Sequence, residues 1–142
     1  NYICIVISMR KIILISLIIL VYSCKSDINQ IPEIYVNFSI PKSDVGGVGQ
    51  GIYINNRGVK GIILFQNDFD SYLAYDRACS YAPQESCELI EFDDILAPVM
   101  LIDSCCGSKF FLSDGTATNG PASLPLKKYQ TWTDENYVYV TN

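Results

Sequence analysis

The residues best equipped for chemistry in this sequence are four cysteines, Cys79, Cys87, Cys105 and Cys106, gathered around two short clusters. Cys79 sits in Tyr75-Asp76-Arg77-Ala78-Cys79-Ser80-Tyr81, and the adjacent pair sits in Asp103-Ser104-Cys105-Cys106-Gly107-Ser108-Lys109-Phe110. Thiolates are soft donors, so four of them could hold a [2Fe-2S] cluster or a zinc ion. Against metal, sequence neighbours such as Cys105 and Cys106 point their side chains apart unless the loop twists, and Cys-x-x-Cys spacing is absent. An even cysteine count in a small domain outside the cytoplasm favours disulfides instead. Histidine is missing from the whole chain, with a count of 0. That excludes histidine-based triads and histidine zinc sites.

The two clusters, with Asn119-Gly120-Pro121-Ala122, Pro125-Leu126 and Tyr129 behind them, resemble the two cluster-binding loops of the Rieske iron-sulfur family. That family carries Cys-x-His in its first loop and Cys-x-Cys-His-Gly-Ser-x-Phe in its second, followed by Gly-Pro-Ala, Pro-Leu and Tyr. Anchored on Gly107-Ser108 and Phe110, the resemblance gives Cys106 the place of a histidine ligand, Cys105 that of the disulfide cysteine and Asp103 that of a cysteine ligand. In the first loop Cys79 matches the cysteine ligand and Tyr81 replaces the histidine. The likeness covers about residues 60–130. A Rieske centre needs two imidazoles on one iron, so in the strict sense it is excluded here.

The resemblance implies a small two-loop subdomain whose former cluster site is lined by Tyr81, Asp103, Gly107, Ser108 and Pro121. It also implies a Cys87–Cys105 bridge echoing the family disulfide, with Cys79 and Cys106 left to join across the vacated site. Each bridge would contribute about 3 to 4 kcal/mol. Four cysteines allow three connectivities, of which a strained Cys105–Cys106 ring is the least favourable. No cofactor is favoured on this reading. The alternative is a [2Fe-2S] cluster on the four thiolates of Cys79, Cys87, Cys105 and Cys106.

Other candidates are weaker. Glu88, Glu91, Asp93 and Asp94 have no EF-hand spacing and read as a solvated strand edge and loop. Asp76 and Arg77 read as an ion pair ordering the first loop. Gly46, Gly47, Gly49 and Gly51 invite comparison with a phosphate-cradling loop, but strand-like Ile52-Tyr53-Ile54 follows them where a helix is needed. They read as a turn. The many tyrosines and Trp132 read as sheet-packing residues.

The elements that must position these residues are strands. Ile34, Val36 and Phe38 alternate with Tyr35 and Asn37, and Pro41 ends the run. Further strands are expected at 52–54, 62–65, 72–75, 89–92, 99–102 and 110–112, with a last hairpin from Lys128–Thr133 to Tyr137–Thr141. Ser113-Asp114-Gly115 marks a turn, and no amphipathic helix longer than a turn or two is legible. The expected fold is an all-β, Rieske-like antiparallel sandwich or barrel.

The N-terminal part reads as an address. Arg10 and Lys11 precede an apolar run from Ile12 to Val21, and Val21-Tyr22-Ser23-Cys24 resembles a bacterial lipoprotein signal in which Cys24 is lipidated. The expected organisation is a signal at 1–23, of which 1–8 is over-extended translation, then lipidated Cys24 with a flexible spacer through 33, and one domain over 34–142. An uncleaved membrane anchor is the alternative. Loss of Arg10 and Lys11 takes 10 basic residues to 8 against 15 acids, a net charge of −7. A surface so acidic repels phosphate backbones, so no nucleic-acid partner is expected. The sequence thus leads to a lipid-anchored domain of the bacterial cell envelope, not an enzyme, partnered with the membrane and a protein, its degenerate site closed by disulfides. Electron transfer through a thiolate-ligated cluster is the competing function.

Overall fold

A computed structural model describes residues 31–87, 89–94 and 99–142; the expected signal, Cys24 and Glu88 lie outside the described residues. Among the described residues ten strands and one helical turn follow in order: β1 (Asn37–Pro41), α1 (Lys42–Val45), β2 (Gly51–Ile54), β3 (Ile62–Asp68), β4 (Ser71–Asp76), β5 (Ile90–Phe92), β6 (Met100–Asp103), β7 (Lys109–Phe111), β8 (Ala117–Asn119), β9 (Lys128–Thr133) and β10 (Tyr137–Thr141). They form a curled six-stranded sheet in the order β1-β10-β9-β4-β3-β2 and a four-stranded sheet in the order β5-β6-β7-β8. Every pairing is antiparallel. The all-β expectation therefore holds. Among the described residues no helix is long and apolar enough to cross a membrane.

The continuous apolar run Ile62-Ile63-Leu64-Phe65 explains how the two sheets share one molecule. Successive side chains of a strand point to opposite faces. Ile62 and Leu64 enter a core inside the curl of the large sheet, with Val36, Val45, Tyr129, Val138 and Val140. Ile63 and Phe65 enter a second core with Tyr75, Cys79, Ile90, Leu101, Phe110 and Leu126, between the large sheet and the small one. Both faces of β3 are covered, so an alternating pattern would have been wrong there. The four side chains are between 0% and 4% exposed.

Several local readings change. The first strand starts at Asn37 rather than Ile34, because Asn142 takes its place in the ladder: Val36 N–H donates to Asn142 Oδ1 at 3.0 Å and Asn142 N–H donates to Val36 O at 3.3 Å. Tyr35 is left 81% exposed. The expected spacer is already docked by its last residues, since Ile31 is buried and Lys127 Nζ donates to Pro32 O and pairs with Glu33 at 2.9 Å. Asp93 is 2% exposed and paired with Lys109 at 2.7 Å, so that carboxylate belongs to the interior rather than to a solvated edge.

Candidate functional site

The first loop leaves the end of β4 through Asp76, which is fully buried. Its Oδ2 accepts Val59 N–H at 2.6 Å and the Tyr129 hydroxyl at 2.7 Å, while Oδ1 accepts Ala78 N–H at 2.9 Å and Lys60 N–H at 3.2 Å. One carboxylate thus ties the loop to the 58–60 turn and to β9. Gly58, at φ +72°, makes this approach possible, because a Cβ there would stand 2.4 Å from Asp76 Oδ2. The expected Asp76–Arg77 ion pair does not form. Arg77 instead donates through Nε to Ile90 O at 2.9 Å, pairs with Glu91 at 3.2 Å and lies over the Tyr53 ring at 4.3 Å. Adjacent residues on an extended chain face opposite ways, and each found its own partner.

The second loop joins β6 to β7. Asp103 ends β6, and its Oδ1 accepts the backbone N–H groups of Cys105 at 2.8 Å and Cys106 at 3.3 Å. Gly107 N–H closes the turn onto Asp103 O at 2.8 Å. Ser108 is fully buried, and its Oγ accepts Ala122 N–H at 3.1 Å and faces Cys106 Sγ at 3.1 Å. The Asn119-Gly120-Pro121-Ala122 segment is needed for this contact, since Gly120 at φ +85° brings its backbone so close that a Cβ would stand 2.5 Å from Ser108 Cα. Pro121 itself is exposed.

Cys87 and Cys105 form a disulfide with Cα atoms 5.9 Å apart, fastening the segment after the first loop to the second. Cys79 and Cys106 are thiols whose sulfurs lie 3.8 Å apart, so the bridge expected between them is not formed. Bonding at Cys87–Cys105 also removes two sulfurs from the four-thiolate ligand set. What converges is Cys79, Cys106 and Asp103, with one ligand atom from each lying within 4.8 Å of the others. Cys79 and Asp103 are fully buried and Cys106 half-buried. Burial pushes the Cys79 thiol well above its ordinary range, and the neighbouring Asp103 and Cys106 add to the rise against the Tyr81 backbone N–H, which favours the thiolate. Asp103 Oδ2 is buried with no hydrogen-bond partner among the described residues. Such an acceptor costs about 1 to 3 kcal/mol.

Of the expected site residues, Cys79, Asp103, Cys106 and Ser108 meet, with Cys87–Cys105 beside them. Tyr81 turns its backbone to Cys79 while its ring is 44% exposed, and Gly107 shapes the turn from an exposed position. Asp76 and Tyr129 are the pair whose role the sequence hid; Tyr129 belongs to the Pro-Leu-x-x-Tyr motif, but nothing in the motif names its partner. The residues present do not fit a [2Fe-2S] cluster. Such a cluster takes four protein donors spread over two irons, whereas among the described residues three donors converge, close enough to surround a single ion.

No protein-family model matches the sequence, and no curated protein matches it. Among solved structures the chain is similar to a chain of the complex of reduced oxygenase and oxidized ferredoxin in carbazole 1,9a-dioxygenase. The sequences are 16% identical and the TM-score is 0.54, over 72% of this chain and 99% of that one. At that identity the likeness speaks to fold alone. The fold is Rieske-like, a half-barrel carrying a small sheet with two facing loops.

Proposed function

We propose that this chain is a Rieske-like domain that no longer carries the family's cluster, anchored outside the cytoplasm by a lipid on Cys24, and that it serves as a structural or protein-binding module of the cell envelope rather than as an enzyme. The observation that carries the reading is the donor set. There is no histidine, and two of the four cysteines in the loops are bonded to each other. Asp76, Asp103, Ser108 and the Cys87–Cys105 bond supply fixing of the loops that metal ligation would otherwise give. A fold does not carry electron transfer without its site. A protein partner is supported by analogy with the structural neighbour, whose structure is that of an oxygenase with a ferredoxin.

The test is iron and acid-labile sulfide analysis of the full chain exported by a bacterial host grown with ample iron. Colourless protein without sulfide supports the module. Stoichiometric iron and sulfide would restore electron transfer through Cys79, Cys87, Cys105 and Cys106, with the disulfide open. The tether is tested separately, since Cys24→Ser should move the protein from the membrane fraction to the soluble one. A variant that stays with the membrane sinks the lipid anchor.

A further inference from the structure

Three donors from two loops, two of them sulfur, are brought together where β6 ends in the second loop, and the module reading gives them nothing to do. We infer that Cys79, Cys106 and Asp103 form a site for one thiophilic divalent cation of the zinc type, with a fourth coordination position open beside half-buried Cys106. Four observations converge on it. The first is spacing. Two sulfurs held about 2.3 Å from a zinc ion at a tetrahedral angle stand about 3.8 Å apart, and Cys79 and Cys106 are 3.8 Å apart. The Asp103 carboxylate closes the triangle, with all three ligand atoms within 4.8 Å of one another.

The second is the state of Asp103. Its Oδ1 is committed to the N–H groups of Cys105 and Cys106, which fixes the carboxylate in place. Its Oδ2 is buried and without a hydrogen-bond partner among the described residues. A buried carboxylate oxygen that receives no N–H or O–H and interacts only with the Cys79 thiol, whose proton a cation would displace, suits a zinc site of mixed oxygen and sulfur donors. Third, the sulfurs have outer partners: Ser108 Oγ lies 3.1 Å from Cys106 Sγ, and the Tyr81 N–H is directed at Cys79. In the thiol form Cys106 donates to Ser108 Oγ, and once its proton has left the hydroxyl can turn its own hydrogen to the thiolate, as outer partners of metal ligands do. Fourth, the Cys87–Cys105 bond pins both loops next to the site, so the geometry stands before a cation arrives.

Binding is charge-balanced without any oxidant. The cation enters, the two thiol protons leave to solvent, both sulfurs bind as thiolates and the carboxylate binds as it is. The site stays distinct from a [2Fe-2S] centre, which needs a fourth donor and inorganic sulfide. Unlike the module reading, it does not depend on the lipid or on a protein partner.

The probe is Co2+ added to the full chain after mild anaerobic reduction that returns any oxidised Cys79 or Cys106 to the thiol, then displaced by Zn2+. The site predicts saturation near one equivalent, with thiolate-to-cobalt charge-transfer absorption, the visible bands of a tetrahedral ion and release of about two protons per ion. Cys79→Ser and Cys106→Ser should each abolish the charge-transfer band. Asp103→Asn should weaken binding by at least the about 10- to 100-fold that loss of an outer partner produces. Paired Cys87→Ser and Cys105→Ser should keep the band, which separates this site from one made by the opened disulfide. A measurement on the unaltered chain covers variants that fail to fold: Zn2+ should slow alkylation of Cys106. The inference is overturned if no charge-transfer band forms, if the band survives loss of Cys79 and Cys106 together, or if Cys106 is alkylated equally fast with and without Zn2+.

Discussion

The two sheets of this molecule are built by different means. The large sheet has strands of four to seven residues, long ladders and an aliphatic interior. The small sheet has strands of three or four residues, too short to be stable by pairing alone. It is fixed by side chains that bond to backbone, Asp76, Arg77, Asp103 and Ser108 among them, and by one disulfide. Hydrophobic burial is tolerant of small shifts, whereas a hydrogen bond fails with a fraction of an ångström. The large sheet therefore supplies stability and the small one supplies position, which is what a site made of three converging donors needs.

That division can be broken at named residues. The largest effect is expected for Asp76→Ala, which strands the N–H groups of Val59, Lys60 and Ala78 and the Tyr129 hydroxyl at the junction of the two parts. A loss of about 3 to 5 kcal/mol in denaturant unfolding is expected; a loss under about 1 kcal/mol would show that the carboxylate is not the joint. Next, reduction of Cys87–Cys105, which spans 18 residues, should lower stability by about 3 kcal/mol. Amide exchange should then quicken in β5 to β8 well before β9 and β10, and uniform quickening would contradict the division.

Alkaline titration sharpens the comparison because each core holds buried tyrosine, Tyr75 in one and Tyr72 with Tyr129 in the other. Tyr75 and Tyr129 have pKa values raised above the ordinary 10.0, chiefly by burial, with Asp114 adding to the first and a hydrogen bond to Asp76 adding to the second. The unfolded chain gives up these protons first. Stability is therefore complete below about pH 10 and falls as pH rises through the interval above it, by about 1.4 kcal/mol per pH unit for each tyrosine. Phenolate absorbance should show that Tyr75 and Tyr129 ionise only on unfolding; independent ionisation of either would place it outside its core. The smallest effect is expected for Trp132→Ala, which removes a ring stacked on Tyr139 at 3.7 Å on the exposed face of the large sheet. About 1 kcal/mol or less should be lost, with no change in cobalt binding at the small sheet.

What the sequence made legible follows the same division. Strands with apolar runs, 62–65 and 72–75, announce themselves, and the final hairpin was placed with its observed bounds. β8 gave no signal, because Ala117-Thr118-Asn119 is polar, short and half-exposed, and its pairing with β7 is a property of the turn before it. The two-loop site was legible as a motif, cysteine positions included, and Asp103 was visible only as a substitution for a ligand. Its unused oxygen could not be read, because a free lone pair is a statement about three-dimensional surroundings. Asp76 was misread for a related reason: three of its partners, Val59, Lys60 and Tyr129, lie 16 to 53 residues away. Asp93 looked like surface because acids usually are.

β3 has a kinetic consequence. Ile62 and Leu64 serve one interior and Ile63 and Phe65 the other, so neither half can melt while the other keeps all its walls. While the Cys87–Cys105 bond is closed, the two architectures make a single cooperative unit. Deep opening at Cys79 is then expected to occur at the rate of global unfolding, and alkylating reagents, bulkier than a cation entering beside Cys106, would meet Cys106 first and Cys79 only in molecules that have come apart.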